Sequence, residues 1–121
     1  MTFSNITPKA AYEKMTKEGY RYLDVRTVEE FEDGHAKGSV NIPLIMATPQ
    51  GKQQNPKFVE EVKGQFPQGT KLVIGCHSGG RSAKACAILN REGYPDVFNI
   101  DAGFGGSVDQ TGWMDEGLPV E

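Results

Sequence analysis

The sequence has no long hydrophobic run and no excess of basic residues. Its apolar stretches are only a few residues long, far below the roughly 20 residues that a helix needs to cross a bilayer. Its N-terminus lacks the charged segment, leading into an apolar stretch, of a secretory signal. Thirteen lysines and arginines stand against sixteen aspartates and glutamates, a net charge of −3, without the cluster of cations that phosphate-backbone binding requires. We therefore expect no membrane segment and no nucleic-acid partner.

Cysteine and histidine are scarce, with two of each. Cys76 and Cys86 are predicted to lie at a strand end and roughly three helical turns further along, too far apart for a disulfide, so both are expected to be free thiols. Free thiols favour a cytoplasmic location, or an organelle if a transit peptide has been removed. Two histidines and two cysteines at these spacings form no metal site, and no cofactor is expected.

The length suits one compact domain, predicted to comprise residues 1–121. Helical periodicity and capping signals predict a helix over residues 8–18, a short helix from the capping box of Thr27 and Glu30 to Gly34, a helix from Asn55-Pro56 to Phe66, and a helix over 82–92. Apolar runs predict strands at 20–25, 40–42, 72–74 and 97–100. Residues 48–55, rich in Gln, Pro and Gly, are predicted as a loop, and residues 103–117 as a packed terminal segment. Alternating strands and helices predict an α/β sheet.

A reactive cysteine is predicted at the end of the most apolar strand. The run Leu72-Val73-Ile74 is typical of a strand buried on both faces, and it leads through Gly75 into Cys76. Ligands of open parallel sheets bind beyond the carboxyl ends of the strands. The candidate site is the loop that follows, which consists of Cys76, His77, Ser78, Gly79, Gly80, Arg81 and Ser82.

The loop has the composition of an anion site. Gly79 and Gly80 allow backbone N–H groups to point inward as a nest, and the following helix adds the positive end of its dipole. A helix N-terminus and a neighbouring cation lower the pKa of a cysteine and so favour the nucleophilic thiolate. Arg81 offers a planar fork of donors for a sulfonate, and Ser82 adds a hydroxyl. A cysteine after a buried strand is usually a small apolar core residue, but these neighbours favour an activated nucleophile at Cys76.

Several separated segments carry a resemblance to a known family. The first group reads Leu23-Asp24-Val25-Arg26, then Glu29, Glu30 and Phe31, then Gly34-His35, Gly38-Ser39 and Asn41-Ile42-Pro43. The second is the loop of residues 76–82, and the third is the ending over residues 117–121. In these segments the chain resembles the rhodanese family of sulfurtransferases over nearly its whole length, most closely the single-domain plant and bacterial type.

The resemblance implies a fold and a reaction. The implied fold is α/β: a single rhodanese-like domain with a five-stranded parallel sheet flanked by helices on both faces. The implied activity is that of a thiosulfate sulfurtransferase. Cys76 takes a sulfane sulfur from a small anionic donor, becomes a persulfide, and passes the sulfur to an acceptor. The acceptor is cyanide or a thiol, and a small thiol protein is one such acceptor. His77 departs from the pattern because many thiosulfate-using relatives carry arginine or lysine there, and a histidine is only partly protonated at neutral pH.

Other functions fit parts of the same pattern. Family phosphatases and arsenate reductases place five residues between cysteine and arginine, whereas four intervene here, which argues against both. A rhodanese module that binds a protein partner without catalysis is a second hypothesis, and redox sensing through the same thiolate is a third. Asp24 and Arg26, at the end of another predicted strand, are expected to fix the loop geometry through an ion pair or hydrogen bonds.

Overall fold

The computed structural model describes residues 3–121, which form seven strands and four helices. The strands are β1 Ser4–Ile6, β2 Arg21–Asp24, β3 Val40–Asn41, β4 Ile45–Thr48, β5 Gly51–Gln54, β6 Leu72–Gly75 and β7 Val97–Ile100. The helices are α1 Pro8–Lys17, α2 Val28–Glu32, α3 Phe58–Gln65 and α4 Gly80–Arg91. Met1 and Thr2, which the predicted domain includes, lie outside the described residues.

Five of the strands form one parallel sheet in the order β1-β7-β6-β2-β3. The central strand β6 lies between β2 and β7, with Leu72 opposite Arg21 on one side and Val97 on the other. All five strands run in the same direction, so their carboxyl ends meet at one edge of the sheet. This confirms the α/β fold with a five-stranded parallel sheet.

The sheet is covered on both faces. Successive side chains of a strand point to opposite faces, and β6 shows this directly: Leu72 and Ile74 belong to one buried cluster and Val73 to another. The first cluster also contains side chains of α3 and α4, including Phe58 and Leu89, and the second contains side chains of α1 and of the C-terminal segment. The helices therefore lie on both faces, as expected.

The C-terminal segment completes the second face, in agreement with its prediction as a packed segment. Trp113 is fully buried, and its ring packs edge-on against Tyr22 at a centroid distance of 5.3 Å. Its indole N–H donates to the carbonyl of Pro119 at 2.8 Å. Phe104 is buried as well, whereas Met114 is half exposed. No helix within residues 3–121 has the length and apolar character to cross a membrane.

The predicted loop over residues 48–55 is wrong, because this stretch forms part of an antiparallel hairpin. Strand β4 pairs with β5 across a turn at Pro49 and Gln50, and the Thr48 hydroxyl donates to the Gly51 carbonyl at 2.6 Å. Gly51 has a positive φ of 105° at the start of β5, which favours glycine. All of β5 is exposed, so it has no apolar alternation and the sequence gives no strand signal there.

Two smaller differences have local causes. Helix α3 begins at Phe58 rather than at Pro56, because residues 55–58 first form a turn in which the Asn55 carbonyl accepts from the N–H of Phe58 at 3.1 Å and the Asn55 side chain accepts from the N–H of Lys57 at 3.0 Å. Strand β1 was not predicted, because it has three residues and two of them are exposed. The capping box of Thr27 and Glu30 at α2 is confirmed.

Candidate active site

Cys76 follows β6 directly and lies at the edge of the sheet where the parallel strands end. Its residue surface is only 2% exposed. The chain then turns through Gly79, the N-cap of α4, which adopts a left-handed conformation with φ 99°. The cysteine sulfur is therefore enclosed between the end of a buried strand and the first turn of a twelve-residue helix.

Two backbone N–H groups donate to the Cys76 sulfur, and a serine hydroxyl lies near it. Sγ accepts from the backbone N–H of Gly79 at 3.1 Å and from the N–H of Ser82 at 3.4 Å. The Ser82 hydroxyl lies at 3.4 Å from the same atom. Backbone N–H groups at a helix N-terminus favour a negative charge, so the arrangement suits a sulfur anion.

The two loop glycines differ in whether the structure requires glycine at their position. A Cβ on Gly79 would overlap the carbonyl oxygen of Asp101, and its φ is unfavourable for any side chain. A Cβ on Gly80 would meet nothing within 4 Å, and its φ is not positive. The structure therefore requires glycine at Gly79, whereas Gly80 has space for a side chain.

The C-terminal segment holds the backbone of the loop in place. The N–H of Phe104 donates to the Cys76 carbonyl at 2.8 Å, and the N–H of Gly105 donates to the His77 carbonyl at 2.9 Å. A Cβ on Gly103 would overlap these carbonyls, and one on Gly105 would overlap the His77 ring. Two glycines of the tail therefore permit the close approach that fixes the loop.

A buried polar chain supports the loop from the sheet. The Ser82 hydroxyl lies 2.5 Å from Oδ1 of Asn99, and Nδ2 of Asn99 donates to the Gly79 carbonyl at 3.3 Å and to Oδ1 of Asn5 at 3.0 Å. Asn99 is 1% exposed and lies on β7. The amide therefore holds both the serine hydroxyl and the carbonyl of the left-handed glycine.

The guanidinium of Arg81 is directed at Glu30. Nη1 donates to Oε1 at 2.7 Å and Nη2 donates to Oε2 at 3.1 Å, while the N–H and hydroxyl of Thr27 also donate to Oε1. The hydrogen bond from Arg81 is the main cause that lowers the pKa of Glu30 from its ordinary value of 4.5 to about 2. The same hydrogen bond raises the pKa of Arg81. The Arg81 guanidinium, which was predicted to bind a sulfonate, is hydrogen-bonded to the Glu30 carboxylate. The role of Arg81 toward a substrate stays a prediction.

The side chains of His77 and Ser78 are exposed at the outer side of the loop. The His77 ring lies over Gly105. It borders an open cavity of about 330 Å³ whose other walls include Arg26, Phe104 and Met114. The structure thus places His77 at the wall of a cavity, and the substrate-binding roles of His77 and Ser78 stay predictions.

Asp24 and Arg26 form a buried ion pair at the end of β2. The Nη2 of Arg26 lies 2.8 Å from Oδ2 of Asp24, and it also donates to the Gly34 carbonyl at 2.8 Å. The side chains are 4% and 1% exposed. The guanidinium carbon of Arg26 lies 4.6 Å from the ring centroid of Phe104. The pair therefore supports the segment that holds the loop, and no hydrogen bond joins it to Cys76 among the described residues.

The second cysteine has no role in this arrangement. Cys86 is fully buried on α4, and burial raises the pKa of its thiol to about 12. Both cysteines are free within the described residues, which confirms that prediction. Cys86 therefore remains a neutral thiol packed in the core.

Sequence reasoning missed the partners that reach the loop from elsewhere in the chain. Glu30 was named in a capping box and in the segments that carry the family resemblance, without a role at the loop, and Asn99 was not singled out. A signal for Asn99 was present, because it is a polar residue between Phe98 and Ile100 in an otherwise apolar strand. A buried amide in a strand that ends beside a reactive loop is expected to have a partner there.

Comparisons with known proteins agree with the fold. A family model, the rhodanese-like domain, matches residues 7–109. "Thiosulfate sulfurtransferase 16, chloroplastic" from Arabidopsis thaliana is 42% identical over 103 residues, which cover 85% of this chain and 81% of that protein. "Thiosulfate sulfurtransferase 18" from the same plant is 37% identical over 108 residues, covering 88% and 75%.

A solved structure gives the same result for the fold. The crystal structure of Rv0390 from M. tuberculosis superimposes with a TM-score of 0.82 over 99% of this chain and 98% of that one, at 26% identity. The family match covers most of the sequence, including the loop of Cys76. The chain belongs to the rhodanese-like domain family.

Proposed function

We propose that this protein is a sulfurtransferase that carries a sulfane sulfur on Cys76. In this proposal the donor is thiosulfate or a similar small anion, and the acceptor is a thiol or cyanide. The observation that carries the proposal is the convergence of two backbone N–H donors on Sγ at the start of α4. Such a nest stabilises the thiolate that attacks the donor and equally the anionic persulfide that results. Because free thiols persist in reducing compartments, we propose that the protein is located in the cytoplasm or in an organelle.

The reaction consists of two displacements. The Cys76 thiolate attacks the outer sulfur of thiosulfate, and a new S–S bond forms as the bond to the central sulfur breaks. Sulfite leaves with the bonding electron pair. The acceptor thiolate or cyanide then attacks the outer sulfur of the persulfide, and Cys76 leaves as a thiolate. Cysteine is suited to this covalent catalysis because its thiolate is both a strong nucleophile and a good leaving group.

The loop supports sulfur transfer over phosphoryl or arsenate chemistry. Four residues separate Cys76 from Arg81, and the donors are directed at the sulfur atom itself. A cradle for a tetrahedral oxyanion must direct its donors at the oxygens beyond the nucleophile. The engagement of Arg81 by Glu30 is a further reason to favour a small sulfur adduct over a bulky oxyanion.

The test is steady-state turnover of thiosulfate and cyanide, with thiocyanate and sulfite both measured. We expect equal amounts of the two products and parallel double-reciprocal lines, because the enzyme is modified between two half-reactions. Cys76→Ser should abolish turnover, and Cys86→Ser, the matched control, should retain it. Turnover that survives in Cys76→Ser would contradict the proposal. A folded wild-type protein that loads no sulfur would favour the non-catalytic, partner-binding module.

A further inference from the structure

The hydroxyl of Ser82 has one proton and three acceptors near it. Its oxygen lies 2.5 Å from Oδ1 of Asn99, 3.2 Å from the Gly79 carbonyl and 3.4 Å from the Cys76 sulfur. A hydroxyl donates one proton, and hydrogen bonds between a hydroxyl and an oxygen have donor–acceptor distances of about 2.5–3.0 Å. Of the three contacts, the one with Asn99 lies in this range. The proton of Ser82 is therefore directed at Asn99.

The surroundings of the Asn99 amide allow only one orientation. The Gly79 carbonyl lies 3.3 Å from Nδ2 of Asn99, and it already accepts from the N–H of Ala83. An Oδ1 turned toward this carbonyl would bring two acceptors together, so Nδ2 must face Gly79 and Oδ1 must face Ser82. An amide oxygen has no proton to donate. Ser82 is therefore the donor in the hydrogen bond with Asn99.

The consequence for Cys76 is that the Ser82 oxygen presents a lone pair to its sulfur. This oxygen can accept from the neutral thiol, but its proton is not available to the thiolate. The thiolate keeps the two backbone N–H bonds from Gly79 and Ser82. Both Ser82 and Asn99 are buried, at 0% and 1% exposure, so bulk water does not replace the missing donor.

The proposed reaction makes two opposite demands on Cys76. During loading its thiolate attacks the outer sulfur of the donor. During discharge the bond between Cys76 and the outer sulfur breaks, and Cys76 leaves with the electron pair as a thiolate. The nucleophilicity of a thiolate rises with its basicity, whereas a less basic thiolate is the better leaving group. An added hydrogen-bond donor would therefore slow the attack by Cys76 and speed its departure.

Building on the proposed function, we propose that Asn99 is a positioning residue, which holds the Ser82 proton away from Cys76 and so favours sulfur loading over discharge. Asn99 acts through the serine hydroxyl and not on the substrate. Its own orientation is fixed from the other side, because Nδ2 donates to the Gly79 carbonyl and to Oδ1 of Asn5.

The first experiment measures the rate at which iodoacetamide alkylates Cys76 in the sulfur-free protein as a function of pH. Asn99→Val removes Oδ1 and places a residue suited to strands on β7, so the Ser82 hydroxyl becomes free to donate to the thiolate. We expect the midpoint of the profile to move to lower pH by about 0.5–1 unit, the size of one hydrogen bond. In a Ser82→Ala background the same substitution should not move the midpoint, because the hydroxyl that it releases is absent.

A matched control separates this effect from a general loss of stability. Asn90 is also a buried asparagine, at 3% exposure, and its side chain donates to the Tyr94 carbonyl near the end of α4. Asn90→Leu removes a buried amide and leaves the Ser82 hydroxyl in place, so it should not move the midpoint. If Asn99→Val does not fold, Asn99→Ala takes its place in every comparison.

The titratable groups around Cys76 are the same in all of these variants. Those that interact electrostatically with Cys76 are Tyr22 on β2 and Arg81 and Cys86 on α4, and His77 follows it in the loop. A shift between variants is therefore due to the amide or to the hydroxyl.

The second experiment measures the two half-reactions separately, at a pH above both midpoints so that the thiolate fraction no longer differs. Asn99→Val should load sulfur from thiosulfate about 1.5- to threefold more slowly and discharge it to cyanide faster by a similar factor. Neither rate should change when Asn99→Val is added to Ser82→Ala. A distorted loop would instead slow both half-reactions.

The outcomes distinguish this inference from the function on which it rests. The inference is wrong if the midpoint of Asn99→Val is unchanged or higher, if its shift persists in the Ser82→Ala background, or if both half-reactions become slower. A wild-type protein that loads sulfur on Cys76 still satisfies the proposed function in each of these cases. A wild-type protein that loads no sulfur contradicts the proposed function and the claim about loading and discharge, whereas the alkylation profiles still decide whether Asn99 holds the Ser82 proton.

Discussion

Replacing Gly79 with alanine is expected to destabilise the protein strongly, whereas the same change at its neighbour Gly80 is not. At Gly79 an alanine would have to hold a left-handed conformation, at about 1–2 kcal/mol. It would also have to displace the Asp101 carbonyl that its Cβ overlaps, and such overpacking costs about 1–3 kcal/mol. The sum, about 2–5 kcal/mol, is a large part of the roughly 5–15 kcal/mol that stabilises a typical domain.

Gly80 is the matched control because it differs in both respects. It lies in the first turn of α4 with space around its Cβ, and alanine is favoured over glycine in a helix by about 0.5–1 kcal/mol. Gly80→Ala should therefore leave the free energy of unfolding unchanged or slightly raised. Both variants are measured by urea unfolding followed by circular dichroism, with the m-value compared to confirm the same two states.

The two glycine variants also test whether the geometry of the loop is needed for sulfur loading on Cys76. Gly79 donates its N–H to the Cys76 sulfur, so Gly79→Ala should lose sulfur loading even where the protein is still folded, whereas Gly80→Ala should retain it. An equal loss of stability in both variants would contradict the expected difference between Gly79 and Gly80. So would a loss below about 1 kcal/mol for Gly79→Ala, since the cost of the left-handed conformation alone would then be missing.

Three further results are expected. Asp24→Asn should lower the free energy of unfolding, measured in urea, by about 3 kcal/mol, because it leaves a buried guanidinium without its counter-charge. A loss below about 1 kcal/mol, the value of an exposed ion pair, would contradict this expectation. The pKa of Glu30 is lowered from 4.5 to about 2, so its carboxylate stabilises the fold above pH 4.5 and this contribution is lost as the pH falls toward 2. For this partly exposed pair, screening leaves about 1 kcal/mol, and urea unfolding between pH 4.5 and 2 should show a loss of stability that is larger by about this amount in the wild type than in Glu30→Gln. Because the pKa of Cys86 is raised to about 12, an alkylating reagent at neutral pH should modify Cys76 alone in the native protein and both thiols in urea, as read by peptide mapping.

Four of the five strands of the sheet could be predicted because their signals are local, whereas β1 has three residues, two of them exposed, and gives no such signal. The run Leu72-Val73-Ile74 has a side chain buried on each face in turn, and an uninterrupted apolar run predicts that arrangement. The capping box at Thr27 is likewise a signal over four residues. The β4–β5 hairpin has no such signal, because β5 buries no side chain and its pairing with β4 is held by backbone bonds and a glycine turn.

The position of the reactive cysteine could be predicted for the same reason, since a strand, a cysteine and a glycine-rich turn follow one another in the chain. The partners that complete the site could not. Glu30 reaches Arg81 from 51 residues away in the sequence, and Asn99 reaches Ser82 from 17 residues away. Such contacts depend on the order of strands in the sheet and on side-chain direction, which composition and periodicity do not determine.

The most direct test of the sulfur-carrier function is intact-mass spectrometry of the purified protein before and after thiosulfate, followed by cyanide. We expect a gain of one sulfur atom that cyanide removes. The adduct should be present in Cys86→Ser and absent in Cys76→Ser. A folded wild-type protein with no adduct, or an adduct that remains in Cys76→Ser, would contradict the assignment of Cys76 as the sulfur carrier.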